Sequence, residues 1–254
     1  MLVERMTWME YRDRVGDSII ILPVGSLEQH GPALPLCVDV VIPTELSRMV
    51  SERVPAMVLP TIAYGYKSQP TSGGGPLFPG TTSLDGATLT SLVLDILRDT
   101  VRHGGRKFLI MNGHYENTAF ITEAVELLMR EAPKDVRVVI AAWWDLLSDK
   151  LVEEVFAGAG FPGWDTEHAG VTETSLMLYF APGLVREKEI IDDQAQRIPK
   201  YSVFPPPPDI IPKSGVLYKA TYATREKGEK IAREVVEKIV EIAKHELSLQ
   251  WVRG

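Results

Sequence analysis

The sequence predicts an α/β fold, a single domain over residues 1–254 with a mainly parallel β-sheet and helices on both faces. Four short apolar runs rich in β-branched residues alternate with segments whose apolar residues recur at helical spacing. The runs are nearly continuous, as strands covered on both faces require, and right-handed crossovers between them give parallel neighbours. With 254 residues, 45% of them hydrophobic and 24% charged, the chain can bury one substantial core.

Ser18-Ile19-Ile20-Ile21-Leu22-Pro23-Val24-Gly25 reads as the first buried strand. Pro43 suits the first turn of a helix reaching about Val54, and Met57-Val58-Leu59-Pro60 reads as the second strand. Residues 64–82 form the longest loop, with Ser72-Gly73-Gly74-Gly75-Pro76 and then Pro79-Gly80, so the backbone must turn repeatedly or approach something closely. A loop of that length in a compact domain is usually functional, the alternative being a mobile surface loop. Its triple glycine lacks the Lys-Ser/Thr pair of a phosphate-binding loop. Asp85 is placed to cap a helix through Leu89, Leu92, Val93, Ile96 and Leu97, stopped by Gly104-Gly105. Residues 106–111 read as the third strand, and Asn117 as the cap of a helix through Phe120, Ile121, Ala124, Val125 and Leu128. Residues 136–142 form the fourth strand, ending at Trp143-Trp144-Asp145. Residues 173–180 make an apolar helix closed by Pro182, and Phe204 with Pro205 to Pro208 forms a stiff segment of the kind used as a strap or subunit contact. The last helix, capped at Thr224 and reaching about Leu249, buries Ile231, Val235, Ile239, Ile242 and Ala243.

Open α/β sheets bind their ligands at the carboxyl ends of strands, and this chain concentrates its chemistry there. Asn112-Gly113-His114-Tyr115-Glu116-Asn117 ends the third run, and Glu28-Gln29-His30-Gly31 follows the first. Each carries a His and a Glu two residues apart, in opposite order. In extended backbone, residues i and i+2 point to one side about 6.6 Å apart, so each pair addresses a single pocket. With Asp39 as a carboxylate able to bridge, Glu28, His30, His114 and Glu116 make a ligand set for two divalent cations about 3.5–4 Å apart. Two His and three carboxylates without thiolate suit Zn or Mn, not a copper or iron–sulfur centre. With a bridging hydroxide the formal charges cancel, which suits a neutral substrate. Such a pair of metals brings the pKa of bound water towards about 7 and polarises a carbonyl, so the expected reaction is metal-assisted hydrolysis of an amide. The non-catalytic alternative is metal that only holds the fold or an oligomer together. A third histidine, His168, shares a Gly-containing turn with Trp164 and Asp165, whereas His103 and His245 lie in helices among charged residues and read as solvated.

A net charge of -7 with no basic block argues against nucleic acid or an anionic membrane as partner. The single cysteine, Cys37, excludes an internal disulfide framework, suits the reducing cytoplasm and reads as core filler. The N-terminal residues lack the apolar core of a signal peptide, and no apolar run approaches membrane-spanning length.

From about Ile21 to the terminal helix the chain resembles the creatininase family. The resemblance rests on GSLEQHGP at 25–32, GYKSQPTSGGGPLFPGTTSLDGATL at 65–89, NGHYEN at 112–117, GWDTEHAGVTETSLML at 163–178 and TREKGE at 224–229. Many members have two glycines where this chain has Tyr115-Glu116, which points to the creatinine-hydrolysing branch. The chain departs from the family at Ala33 and at Cys37-Val38, positions that can reshape the pocket floor. The resemblance implies that Glu28, Asp39 and His114 bind one metal and His30, Asp39 and Glu116 the other. It further implies that Ser72, Tyr115, Trp144, Trp164, Asp165 and His168 contact the substrate, that His168 shuttles a proton to the ring nitrogen, and that Glu173 orients that imidazole. Read structurally instead, Trp144 and Trp164 would be core, Asp165 a helix cap and Ser72 a turn residue. The implied activity is reversible hydrolysis of creatinine to creatine. The alternative is cleavage of another small amide, a formamide or a peptide bond in cofactor maturation. A homohexamer is implied as well.

Overall fold

In the computed structural model, which describes residues 1–195, 201–207 and 210–247, the chain enters through Trp8–Arg12 (α1), started by a reciprocal Thr7/Glu10 capping box. Ile19–Val24 (β1) is buried at every position. Val38–Ser51 (α2) and the short edge strand Ala56–Val58 (β2) follow. Gly86–Arg102 (α3), Lys107–Asn112 (β3), Thr118–Met129 (α4) and Arg137–Ala142 (β4) complete the sheet region. Asp149–Val155 (α5), Val171–Phe180 (α6) and Arg225–Glu246 (α7) form the remainder. All strand pairs are parallel, in the order β2-β1-β3-β4.

Side chains alternate across a strand, so β1 must be apolar on both sides if both are covered. Ile20, Leu22 and Val24 pack with Leu89, Val93 and Leu97 of α3 and Ile121 and Leu128 of α4. Ile19 and Ile21 pack with Ile42 and Leu46 of α2, Leu176 of α6 and Ile231, Val235 and Ile239 of α7. The expected α/β architecture with helices on both faces is what the chain adopts.

Several local expectations need correction. Pro43 lies inside α2, not in its first turn, because the helix already begins at Val38. An amide at position 43 would bond the carbonyl of Asp39, and proline has none to offer. That freed carbonyl is where the backbone closes in: a Cβ at Gly25 would overlap it, and one at Gly113 would come within 2.7 Å. The ends of β1 and β3 are thereby drawn against the first turn of α2, which carries Asp39. Asp85 and Asn117 occupy the N-cap positions of α3 and α4, but neither side chain caps its helix. Asp85 pairs with Lys67 instead, and the Asn117 amide accepts from Tyr66 N at 2.8 Å and donates to Gly25 O at 3.0 Å. Leu92, expected on the buried stripe of α3, is exposed. Cys37 is half-buried at the start of α2 and is not core. Thr224 caps α7 as expected, through Lys227 N. The end expected near Leu249, and Pro208 of the proline segment, lie outside the described residues.

Candidate metal centre

Three chain segments bring the five expected ligands to the carboxyl ends of β1 and β3. His114 Nδ1 lies 3.1 Å from Glu28 Oε2 and 3.0 Å from Asp39 Oδ2, and its Nε2 is 3.3 Å from Glu116 Oε2. His30 Nε2 is 3.2 Å from Asp39 Oδ1. Asp39 thus offers one oxygen to each histidine, the arrangement that a bridging carboxylate needs.

Unmet hydrogen-bonding capacity tests whether this set fits metal ions. Glu28 Oε1 and His30 Nε2 are buried and hydrogen-bonded to nothing, although His30 Nε2 has Asp39 at 3.2 Å and Glu173 Oε1 at 3.4 Å. Buried polar atoms without partners are costly, so something else is expected to satisfy them. Among the described residues only Ser47 Oγ shares that condition. Donor atoms of Glu28, Asp39 and His114 all lie within 4.8 Å of one another, as do those of His30, His168 and Glu173. Nitrogen and carboxylate donors so placed fit divalent zinc or manganese. The second grouping differs from the expected His30, Asp39 and Glu116. Here Glu116 Oε1 accepts from Gln69 N at 2.9 Å and from the Ser72 hydroxyl, while Oε2 faces His114.

Among the protein's own groups, burial opposes charge on His30 and His114. Asp39 and Glu173 beside the first, and Glu28 with Asp39 beside the second, nevertheless hold both imidazoles well above the ordinary value. Burial also opposes ionisation of Glu28 and Asp39. It is outweighed mainly by His114 for Glu28 and by His30 for Asp39, and both carboxyls stand below their usual range. Glu167 goes the other way, since burial and the nearby Glu173 push it up to about 7.

Over the cluster opens a narrow cleft with a cavity volume of about 40 Å³, partly continuous with solvent. Tyr115, Trp143, Trp144 and Trp164 wall it, with Trp144 5.5 Å from Trp143 and 6.0 Å from Tyr115 between ring centres. Trp144 is buried, Trp164 half-buried and Tyr115 exposed. Ser72 and His168 also line the cleft. Asp165 does not: it is exposed beside Gly163. Glu173, expected at the His168 imidazole, accepts instead from Ala169 N at 2.6 Å and turns its other oxygen to His30. The glycine loop presses on the cluster, because a Cβ at Gly73 would sit 2.5 Å from Glu28 Oε1 and 3.2 Å from His168 Cε1.

Sequence reasoning missed Trp143 and Glu167 in the cleft lining and Gln29 against His168. Trp143 and Glu167 each neighbour a residue that was singled out. Gln29 sits at the odd position of an i, i+2 pair, which alternation assigns to the opposite side.

The creatininase family model, described as creatinine amidohydrolase, matches residues 4–243. Creatinine amidohydrolase of Pseudomonas putida is 47% identical over 252 residues, 97% of each chain. The mycofactocin precursor peptide peptidase of Mycobacterium tuberculosis is 32% identical over 87% of this chain and 82% of its own. Three solved structures align with a TM-score of 0.93 and cover 96% of this chain. They are a manganese creatininase (47% identical, 98% of that chain), a mutant creatininase complexed with creatine (46%, 98%) and a Zn–Zn mutant creatininase (46%, 97%). With the fold, the buried donor cluster and these matches in agreement, the chain belongs to the creatininase family.

Proposed function

We propose that this chain hydrolyses the lactam C–N bond of creatinine to give creatine, reversibly, with two divalent cations, zinc or manganese, per subunit. The observation that carries the reading is a buried His/carboxylate cluster with unsatisfied donor atoms beneath a small, tryptophan-walled cleft. The 47% identity to the Pseudomonas putida enzyme supports the choice of substrate. Glu28, Asp39 and His114 would hold one cation, and His30, Asp39 and Glu116 the other. Bound there, the cations would supply Lewis acidity and a water acidic enough to ionise near neutral pH.

The remaining roles belong to the chain's own groups. Trp144 and Trp164 flank a flat, neutral ring, as indoles suit. Ser72 and Tyr115, which line the cleft, supply polar contacts that fix its orientation, whereas Asp165 lies outside that lining. As the ring C–N bond breaks, the hydroxyl of water ends on the carbonyl carbon and a proton must reach the ring nitrogen; His168 delivers it. His168→Ala is therefore expected to lower kcat by about 10²–10⁴-fold with two metals retained. Unchanged kcat would remove the proton role.

The second reading is hydrolysis of another small amide, a formamide or the peptide bond that the mycobacterial relative's name indicates. The confined aromatic cleft favours the ring. Incubating metal-loaded protein separately with creatinine, a formamide and a short peptide separates these readings. Creatine formation with the other two intact supports the proposal, and peptide or formamide cleavage without creatine formation refutes it.

The same reading takes residues 1–254 as one metallohydrolase domain, working in the cytoplasm as a homohexamer. Among the described residues no helix is long and apolar enough to cross a membrane. The exposed Tyr201, Val203 and Phe204 offer an apolar segment for a subunit contact. Light scattering of the purified protein measures the assembly.

A further inference from the structure

Gln29 stands between two proposed ligands and is itself buried. Its side-chain amide spans three segments: Nε2 donates to Gly73 O in the glycine loop at 2.9 Å and to Gly215 O at 2.9 Å, while Oε1 accepts from Gly31 N at 2.9 Å. Its backbone amide donates to Thr81 Oγ1 at 3.0 Å. Gly215 is fitted to this seat, since its φ is +78° and a Cβ there would overlap the Gln29 amide.

A primary amide has two N–H groups, and the two glycine carbonyls take both. The same nitrogen lies 2.9 Å from His168 Nε2, with no hydrogen left to give. His168 Nε2 also lies 2.9 Å from the Gln29 carbonyl, which can only accept. We propose that Gln29 is a positioning residue that fixes His168 as its Nε2–H tautomer, donating to the Gln29 carbonyl and leaving Nδ1 as the nitrogen that handles the substrate proton. Its side chain simultaneously pins the glycine loop and the turn at Gly215 around that imidazole. The kinetic part of this inference rests on the proposed role of His168; the tautomer does not.

The test is 15N-histidine NMR of the zinc-loaded protein, with His168 assigned through His168→Ala. Wild type is expected to show His168 as a single Nε2–H tautomer. Gln29→Met, similar in length but without amide hydrogens, keeps the backbone carbonyl and is expected to keep that tautomer while freeing the glycine loop and the Gly215 turn. Its kcat should fall about tenfold or more while KM stays within about threefold and both metals remain bound, because small misplacements of a catalytic group cost rate before affinity. An Nδ1–H tautomer in wild type overturns the proposal, as does a Gln29→Met protein that keeps wild-type kcat. If Gln29→Met does not fold, the wild-type spectrum still decides, and Gly215→Ala displaces the amide from outside the ligand segments. Absence of creatinine turnover would refute the function proposed above and leave the tautomer assignment intact.

Discussion

His30 and His114 stand well above their ordinary values among the protein's own groups, so near neutral pH both carry protons that an arriving cation must displace. Zinc added to chelated protein at pH 7 in weak buffer is expected to release protons, and the apparent affinity to fall as pH is lowered. Uptake without proton release would contradict these protonation states. Glu167 gives a second, separable effect. Its ordinary value is 4.5 and its folded value about 7. Between them the unfolded chain ionises this group while the folded one keeps it protonated, so its contribution is complete below 4.5 and is lost as pH rises through about 7. Urea unfolding of chelated Glu167→Gln should show a flatter loss of stability from pH 5 to 7 than wild type; an unchanged slope would place the pH dependence elsewhere.

Close backbone approach governs how the elements assemble the cleft. Gly73→Ala would put a methyl group against Glu28 Oε1, Ser68 Oγ and the His168 ring. It is expected to weaken metal binding about 10–100-fold, as disturbing the groups that support ligands does, while α3 and α7 keep their stability. Isothermal titration with zinc reads this, and wild-type affinity would mean that the loop does not press on the cluster. The strands and the two ligand pairs were legible because their signals are local: continuous β-branched runs, and a His and a Glu two residues apart. Pro43 departs from its expected place, and Asp85 and Asn117 hold their expected cap positions without capping, because their roles depend on partners elsewhere in the chain. Asn117 serves Gly25 and Tyr66 rather than its own helix, and the missing amide of Pro43 matters only because Gly25 and Gly113 arrive at the Asp39 carbonyl. Glu173 beside His30, and Gln29 beside His168, likewise required the folded chain.

The fold unites these parts by covering one sheet on both faces and leaving the carboxyl ends of β1 and β3 open to the cleft. Helices α6 and α7 meet closely where Gly228 lies against the Ser175 carbonyl, a contact that any Cβ would obstruct. That packing holds the start of α6, and with it Glu173, next to His30. The architecture therefore ties the terminal helix to the proposed metal centre, and metal removal should lower the thermal stability of the protein as well as its activity. Activity measured while zinc is titrated into the chelated protein, with creatinine as substrate and creatine as product, joins the metal centre to the reaction in one curve. The proposal predicts no turnover at the start and full turnover at two equivalents per chain. Creatine formation in the chelated protein, or a curve that saturates at one equivalent, would contradict a two-metal hydrolase.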